Sequence, residues 1–458
     1  MSVVGLAAFT LAHRLRGSSS LQMYHAMAAE PRASREQVAS RQLQRLQDLV
    51  RHANDTVPYY RELFASIGLE PGDVTSLESF ARIPVLTKDI LRAHRDDLVS
   101  TAYPRESLLV HNSGGSTGVP VSFFRDRSYL DASDAGTYRN LSQCGWKPGD
   151  MVAFVWGFNT RLDAMRPIEF ELRQRLRRFY QFDPFKSSPA DLDAWVDRMR
   201  VIRPAAVHGY ASTIARLARR MIETGRTVPG VRGVFTTAER LYAPQRKDMQ
   251  DAFGCTVFDL YGSSEVQNIA AECPSGSMHI NADFCHLEFD EASSGSGSRP
   301  LLVTSLKSRA FPFIRYRNDD AGTGGDGGSC NCGSGFPVMK LTVARESDNF
   351  TLPSGRVVHG EFFTHLMYGA KGIERFQFHQ ISAGEIVLRV VPGTEGVELA
   401  RTTAAGAAEE LRRQLGSDLH VEVALVDDIQ LSAAGKHRFT RSDVRPVAES
   451  RAEAVAVS

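Results

Sequence analysis

The sequence predicts an α/β protein, with a large multi-layer α/β domain over residues 1–344 and a small α+β domain over 345–458. Short apolar runs alternate with helical stretches through most of the chain, as buried strands and their crossovers do. Beyond a Gly/Ser-rich region at 322–335 the pattern changes character. A chain of 458 residues also exceeds one folding unit.

Taken in order, residues 3–12 are apolar but too short to span a bilayer. They have no basic lead-in and no clear cleavage site, so they read as a first helix packed on the body of a cytoplasmic protein. Between 34 and 53, Val38, Leu43, Leu46, Leu49 and Val50 recur at helical spacing and mark an amphipathic helix. Thr87 stands where it caps a helix beginning with Lys88 and Asp89. Strands are expected at 108–110, 151–156, 205–208, 231–236 and 256–260, with helices at 190–201 and 213–223 between them. Residues 294–297 read as a hairpin tip. In the small domain, strands are expected at 386–391 and 420–426 and a helix at 399–415.

Hydrophobic residues make up 42% of the chain and charged residues 23%, which excludes wholesale disorder. Lys plus Arg (54) nearly cancels Asp plus Glu (53). No whole-molecule field therefore gathers nucleic acid or an anionic membrane, and an anionic ligand must be held locally.

Three segments carry candidate chemistry. Ser113-Gly114-Gly115-Ser116-Thr117-Gly118-Val119-Pro120 combines close-approach glycines with hydroxyl donors suited to phosphate oxygens, although a plain turn has the same composition. It lacks the Gly-Lys-Ser/Thr close of a Walker A loop. Tyr261-Gly262-Ser263-Ser264-Glu265 follows an apolar run, so Glu265 stands where a strand exit could hold Mg²⁺; capping of a following helix is the alternative. Residues 313–320 read as a strand that closes in paired acids, able to accept from ribose hydroxyls or simply exposed at a turn.

Order and spacing add specificity. Ser113–Pro120 resembles the Ser/Thr/Gly-rich loop of the adenylate-forming superfamily, Tyr261–Glu265 its Tyr-Gly-x-x-Glu signature, and Arg315–Asp320 its Arg-Tyr-Arg-Thr-Gly-Asp segment. Thr237-Ala238-Glu239 is similar to its adenine-facing element. Pro58-Tyr59-Tyr60, residues 83–88 and the cysteine pattern resemble the phenylacetate–CoA ligase and capsular-polysaccharide-associated branch.

The resemblance implies that Ser113, Gly114, Gly115, Ser116, Thr117 and Gly118 cradle the phosphates of ATP and that Glu265 binds Mg²⁺. It implies that Asp320 holds the ribose and that Glu239, Tyr261, Gly262 and Ser263 line the nucleotide slot. Arg345, Ser347 and Asp348 resemble the hinge, and Lys436 resembles the lysine of the mobile C-terminal domain, whose ammonium stabilises charge on the α-phosphate. Val119, Ala344 and Asn318-Asp319 depart from the pattern.

Cys273 and His279 lie six positions apart, and Cys330 and Cys332 form a Cys-x-Cys pair. One imidazole and three thiolates make a closed set suited to structural Zn²⁺, as some members of the branch have, or four unligated groups with Cys285 and His286 nearby. Trp156, Phe158, His208, Gly209 and Tyr210 fall where relatives build the acyl pocket. Aromatic walls suit an aromatic or small amino-aromatic carboxylic acid; core packing accounts for the same residues. CoA is the family's usual acceptor, with carrier proteins or other groups as alternatives. A nucleotidyltransferase and a non-catalytic nucleotide-binding relative are the rival readings, and a monomer or homodimer is expected.

Overall fold

Local signals set the helical scaffold. Ser34 accepts from the Gln37 N–H while the Gln37 side chain reaches back to the Ser34 N–H, a reciprocal cap that fixes where the first long helix begins. Thr87 accepts from the Ile90 N–H at 3.3 Å and starts a helix at Lys88, as expected.

The computed structural model describes residues 3–112, 121–157, 167–184, 186–238, 241–290, 299–324, 330–343, 350–358, 360–367, 370–393, 395–416, 418–429 and 439–444. The chain opens with α1 (Val3–Leu15), α2 (Ser20–Met27), α3 (Arg35–Thr56), α4 (Pro58–Ser66), α5 (Leu77–Phe80) and α6 (Lys88–Ala93). The hairpin β1 (Leu109–Asn112) and β2 (Ser122–Arg125) follows, then α7 (Arg127–Ser142).

Strand and helix then alternate through β3 (Val152–Val155), α8 (Pro167–Arg177), β4 (Phe179–Phe182), α9 (Pro189–Ile202), β5 (Ala206–Tyr210), α10 (Ala211–Thr224), β6 (Gly233–Thr237), α11 (Ala243–Phe253) and β7 (Thr256–Tyr261). Strands alone follow: β8 (Ala270–Glu272), β9 (Met278–Ile280), β10 (Cys285–Phe289), β11 (Arg299–Ser305), β12 (Tyr316–Gly324) and β13 (Val338–Val343). The remainder comprises β14 (Phe350–Thr351), β15 (Val357–Val358), α12 (Gly360–Leu366), β16 (Ile373–Ser382), β17 (Glu385–Pro392), α13 (Val397–Leu415), β18 (His420–Leu425) and β19 (Thr440–Ser442).

β3 to β13 form one sheet in the order β10-β11-β12-β13-β9-β8-β7-β6-β5-β3-β4. Its β4, β3, β5, β6 and β7 run parallel, and pairing is antiparallel from β7 through β8 outward. The parallel strands are apolar on both faces because helices cover them, which is why apolar runs located them. β5 and β3 approach so closely that a Cβ at Gly209 would lie 2.0 Å from the Val155 carbonyl oxygen. Phe9 of α1 is fully buried against Tyr138 and Trp146, so the first helix does pack on the body.

From β14 onward the chain builds its own four-stranded sheet, β18-β17-β16-β19, and a core from Phe350 to Phe439 that includes Phe378, Leu388, Ala404 and Leu411. Among the described residues no helix is long and apolar enough to cross a membrane. The expected hairpin tip at 294–297 lies outside the described residues, between the antiparallel partners β10 and β11.

One expectation is corrected. Residues 313–320 were expected to form a strand ending in its acids, but Arg315 has a left-handed backbone (φ +50°), so the strand begins at Tyr316 and runs on to Gly324. Asp320 is therefore an interior strand residue and is buried rather than exposed at a turn.

Candidate active site

β7 is the strand at which parallel pairing with β6 gives way to antiparallel pairing with β8. Ligands of open α/β sheets bind beyond the carboxyl ends of the parallel strands, of which β7 is the last. A cavity of about 980 Å³ opens there, and Tyr261, Gly262, Ser263 and Asp320 all line it. Thr237 and Ala238, at the end of the neighbouring strand, line it as well.

A hydrogen-bonded chain fixes these groups. The Tyr261 hydroxyl donates to Asp320 Oδ2 at 2.8 Å and accepts from Asn318 Nδ2 at 2.8 Å, while Asn318 Oδ1 accepts from the Asp320 N–H at 3.2 Å. Asn318, which departs from the family pattern, thus orients the tyrosine and the aspartate together.

Glu265 does not line the cavity. It lies fully buried behind Ser263 and Ser264, where its Oε1 accepts from the Tyr316 hydroxyl at 2.8 Å. Its Oε2 is buried without a hydrogen bond among the described residues. Arg125, beside it, donates to the Ser264 carbonyl; burial lowers the proton affinity of this arginine, and Tyr129 and Glu265 offset part of that. No helix begins after Glu265, which removes the capping alternative. A buried carboxylate with one bare oxygen fits a hard cation, since Mg²⁺ takes oxygen ligands.

Trp156 and His208 line the cavity, whereas Gly209 and Tyr210 are not on its wall. Tyr210 instead supports Trp156 from behind, with ring centroids 4.6 Å apart. Burial pushes His208 down to about 4, so it is neutral near pH 7. Its Nδ1 lies 3.1 Å from the Phe235 carbonyl, which fixes the N–H there and leaves Nε2 as an acceptor.

Two groups on the wall escaped sequence reasoning. Burial raises the Asp259 carboxyl to about 7, although the Thr236 hydroxyl donates to it at 2.8 Å. Leu130, Ser133, Asp134, Thr137 and Tyr138 line the cavity from one face of α7. Their three- and four-residue spacing was the available signal.

Ser113, Gly114, Gly115, Ser116, Thr117, Gly118, Phe158, Glu239, Arg345, Ser347, Asp348 and Lys436 lie outside the described residues, as do Val119 and Ala344. The strands flanking the first of these segments are described: Asn112 pairs with Ser122 across the β1–β2 hairpin.

The four predicted metal ligands come together. The side-chain donor atoms of Cys273, His279, Cys330 and Cys332 all lie within 4.8 Å of one another. Cys273 and Cys330 Sγ are 3.6 Å apart, and Cys332 Sγ is 3.3 Å from His279 Nε2. A tetrahedron with Zn–S arms of about 2.3 Å has edges of about 3.8 Å, close to these separations.

His279 Nδ1 bonds the Phe336 carbonyl at 2.9 Å, which leaves Nε2 free to ligate. Burial would raise the Cys330 thiol, but hydrogen bonds from Ser277 and its cluster neighbours hold it down at about 6; burial pushes Cys332 up to about 11. Cys285 and His286 stand apart, bonded to the Ile269 carbonyl and Gln42.

Comparison with known proteins supplies the context. Residues 350–443 match the CapK C-terminal domain family. The chain is 27% identical over 308 residues to the phenylacetate-coenzyme A ligase of Aromatoleum evansii, covering 63% of this chain and 67% of that protein. It is 20% identical over 429 residues to protein CapK of Staphylococcus aureus, covering 88% and 89%.

Among solved structures, 2-hydroxyisobutyryl-CoA ligase in complex with 2-HIB-AMP and CoA shares the fold. Its TM-score is 0.61 at 22% identity, over 93% of this chain and 94% of that one. The chain is thus similar to the phenylacetate–CoA ligase and CapK-related branch of the adenylate-forming enzymes, most extensively to CapK, whose C-terminal domain family its residues 350–443 match.

Proposed function

We propose that this protein uses ATP to activate a carboxylic acid as its acyl-adenylate and passes the acyl group to CoA. The observation that carries the reading is the Tyr261–Asp320 pair on the cavity wall, oriented by the buried Asn318, with the buried Glu265 carboxylate bonded to Tyr316 of the same strand as Asp320. Asp320 accepts from the ribose hydroxyls, with Tyr261, Gly262, Ser263 and Glu239 along the nucleotide. Ser113 to Gly118 cradle the phosphates, with the hydroxyls of Ser116 and Thr117 and the exposed N–H groups of the glycines as donors.

In the first step the acid's carboxylate oxygen attacks the α-phosphorus, and the bond to the bridging oxygen breaks to release pyrophosphate. Two anions must meet, so fixed positive charge is required. Lys436 supplies it to the α-phosphate, and Arg345, Ser347 and Asp348 form the pivot between residues 1–344 and 345–458. Glu265 is the residue that would hold Mg²⁺, which when bound neutralises phosphate charge. In the second step a thiolate attacks the acyl carbon and AMP leaves.

Trp156, with Phe158 and the supporting Tyr210, forms flat walls for an aromatic acid. Cys273, His279, Cys330 and Cys332 would hold Zn²⁺ in a closed set that ties the segment before β13 to the β8–β9 hairpin, a structural rather than a catalytic site. The test is acid-dependent pyrophosphate release over aryl, amino and fatty acids, with mass spectrometry of the products. An acyl-CoA product and AMP are expected. AMP left on a non-carboxylate acceptor would instead make this a nucleotidyltransferase.

A further inference from the structure

The cavity has a charged end that the nucleotide reading leaves unused. Its wall includes Asp134 and Tyr138 of α7, together with His13 of α1, Arg16 just beyond that helix and Arg177 of α8. His13 is buried; its Nδ1 bonds the Phe9 carbonyl at 2.8 Å and its Nε2 the Tyr138 hydroxyl at 3.1 Å, so this pair is satisfied within the protein. Asp134 differs. Its carboxylate makes no hydrogen bond and no ion pair among the described residues, although it faces the cavity. Burial raises its proton affinity, and attraction to Arg16, Arg177 and His13 offsets only part of that.

An aromatic strip joins this end to the acyl walls. Tyr138 meets Phe179 at 5.8 Å between centroids, Phe179 meets Phe154 at 6.2 Å, and Phe154 stacks on Trp156 at 5.7 Å. Phe154, Trp156 and Phe179 all line the cavity. An acid whose carboxylate reaches the nucleotide lays its apolar body along this strip and presents its remote end to Asp134.

Resting on the ligase reading above, we propose that Asp134 is a specificity-determining residue that accepts a hydrogen bond from a hydroxyl or amino substituent at the end of the acid remote from its carboxylate. A substrate ending in a methyl group would desolvate the carboxylate without bonding it. Sites that bond a substrate donor reject analogues lacking it far more strongly than apolar pockets separate near-isosteres.

The test uses one aryl acid in 4-hydroxy, 4-amino and 4-methyl forms. Their binding is measured by calorimetry on the full chain without ATP, and their kcat/KM by pyrophosphate release. The 4-hydroxy or 4-amino form should be favoured over the 4-methyl form by about tenfold or more. In Asp134→Ala that ratio should fall to near one while the melting temperature holds. Asp134→Asn, which keeps a carbonyl acceptor, should retain part of the hydroxyl preference.

No preference in the parent, a preference for the methyl form, failure of all three to bind at millimolar concentration, or an unchanged ratio in Asp134→Ala overturns the proposal. If no acid releases pyrophosphate, the ligase reading fails, and the calorimetric ratio still decides the subsite.

Discussion

The Tyr261 hydroxyl stands 2.8 Å from Asp320 Oδ2, joining the end of β7 to the middle of β12 across 59 residues of sequence. Because the same hydroxyl accepts from Asn318, deleting it removes a hydrogen bond from two buried groups at once. Tyr261→Phe should destabilise the fold by about 1–3 kcal/mol and weaken ATP binding several-fold. Denaturant unfolding and nucleotide titration check both effects; unchanged ATP affinity would remove the chain from the nucleotide site.

Glu265 is buried with one oxygen bonded to Tyr316 and the other without a hydrogen bond among the described residues. Glu265→Gln keeps the shape and removes the charge, so Mg²⁺-dependent pyrophosphate release should fall by on the order of 10²-fold. Full activity of this variant at ordinary Mg²⁺ concentrations would dissociate the residue from the cation.

The Cys273–His279–Cys330–Cys332 cluster predicts about one zinc per chain by elemental analysis. Cys332→Ser should lose the metal and lower the melting temperature, because binding free energy of a closed site is folding free energy. Metal-free protein with an unaltered melting temperature would contradict a structural site.

Buried histidines give the fold a pH dependence. Burial pushes His208 and His286 down to about 4 from the usual 6.5, so the unfolded chain binds their protons more readily than the folded one. Their contribution is fully present above about pH 6.5 and is lost as pH falls toward 4. Asp259, raised to about 7, acts in the opposite sense: its stabilisation is present at low pH and fades as pH rises through 7.

The two senses separate by comparison of variants. Subtracting the urea stability of His286→Gln from that of the parent between pH 8 and pH 4.5 should give a curve that slopes only below about 6.5. Its total change should be on the order of 1–3 kcal/mol. A flat difference would mean that His286 is not held neutral.

The parallel strands and two helices were legible because each depends on residues close in sequence: apolar runs buried on both faces, the spacing of Val38, Leu46, Leu49 and Val50, and Thr87 with Ile90. The extent of β12 was not, since it turns on a left-handed Arg315 and on pairing with β11 and β13. α7 was hidden for a different reason. Its buried face carries Asp131, Arg139 and Asn140, polar residues that break apolar periodicity. Their partners are remote: Ser18 and Ser19 donate to Asp131, and Arg139 donates to Asp283 and Asn281. With α7 unseen, Asp134 and its end of the cavity were unseen too.

The chemistry itself is tested most directly by isotope transfer. With an accepted acid carrying ¹⁸O in both carboxylate positions, attack of that carboxylate on ATP followed by acyl transfer leaves one ¹⁸O in the released AMP. Mass spectrometry should find AMP heavier by that single atom, in an amount matching the acyl product, and Lys436→Ala should reduce both together by on the order of 10²-fold. AMP free of label alongside a formed acyl product would contradict an acyl-adenylate intermediate.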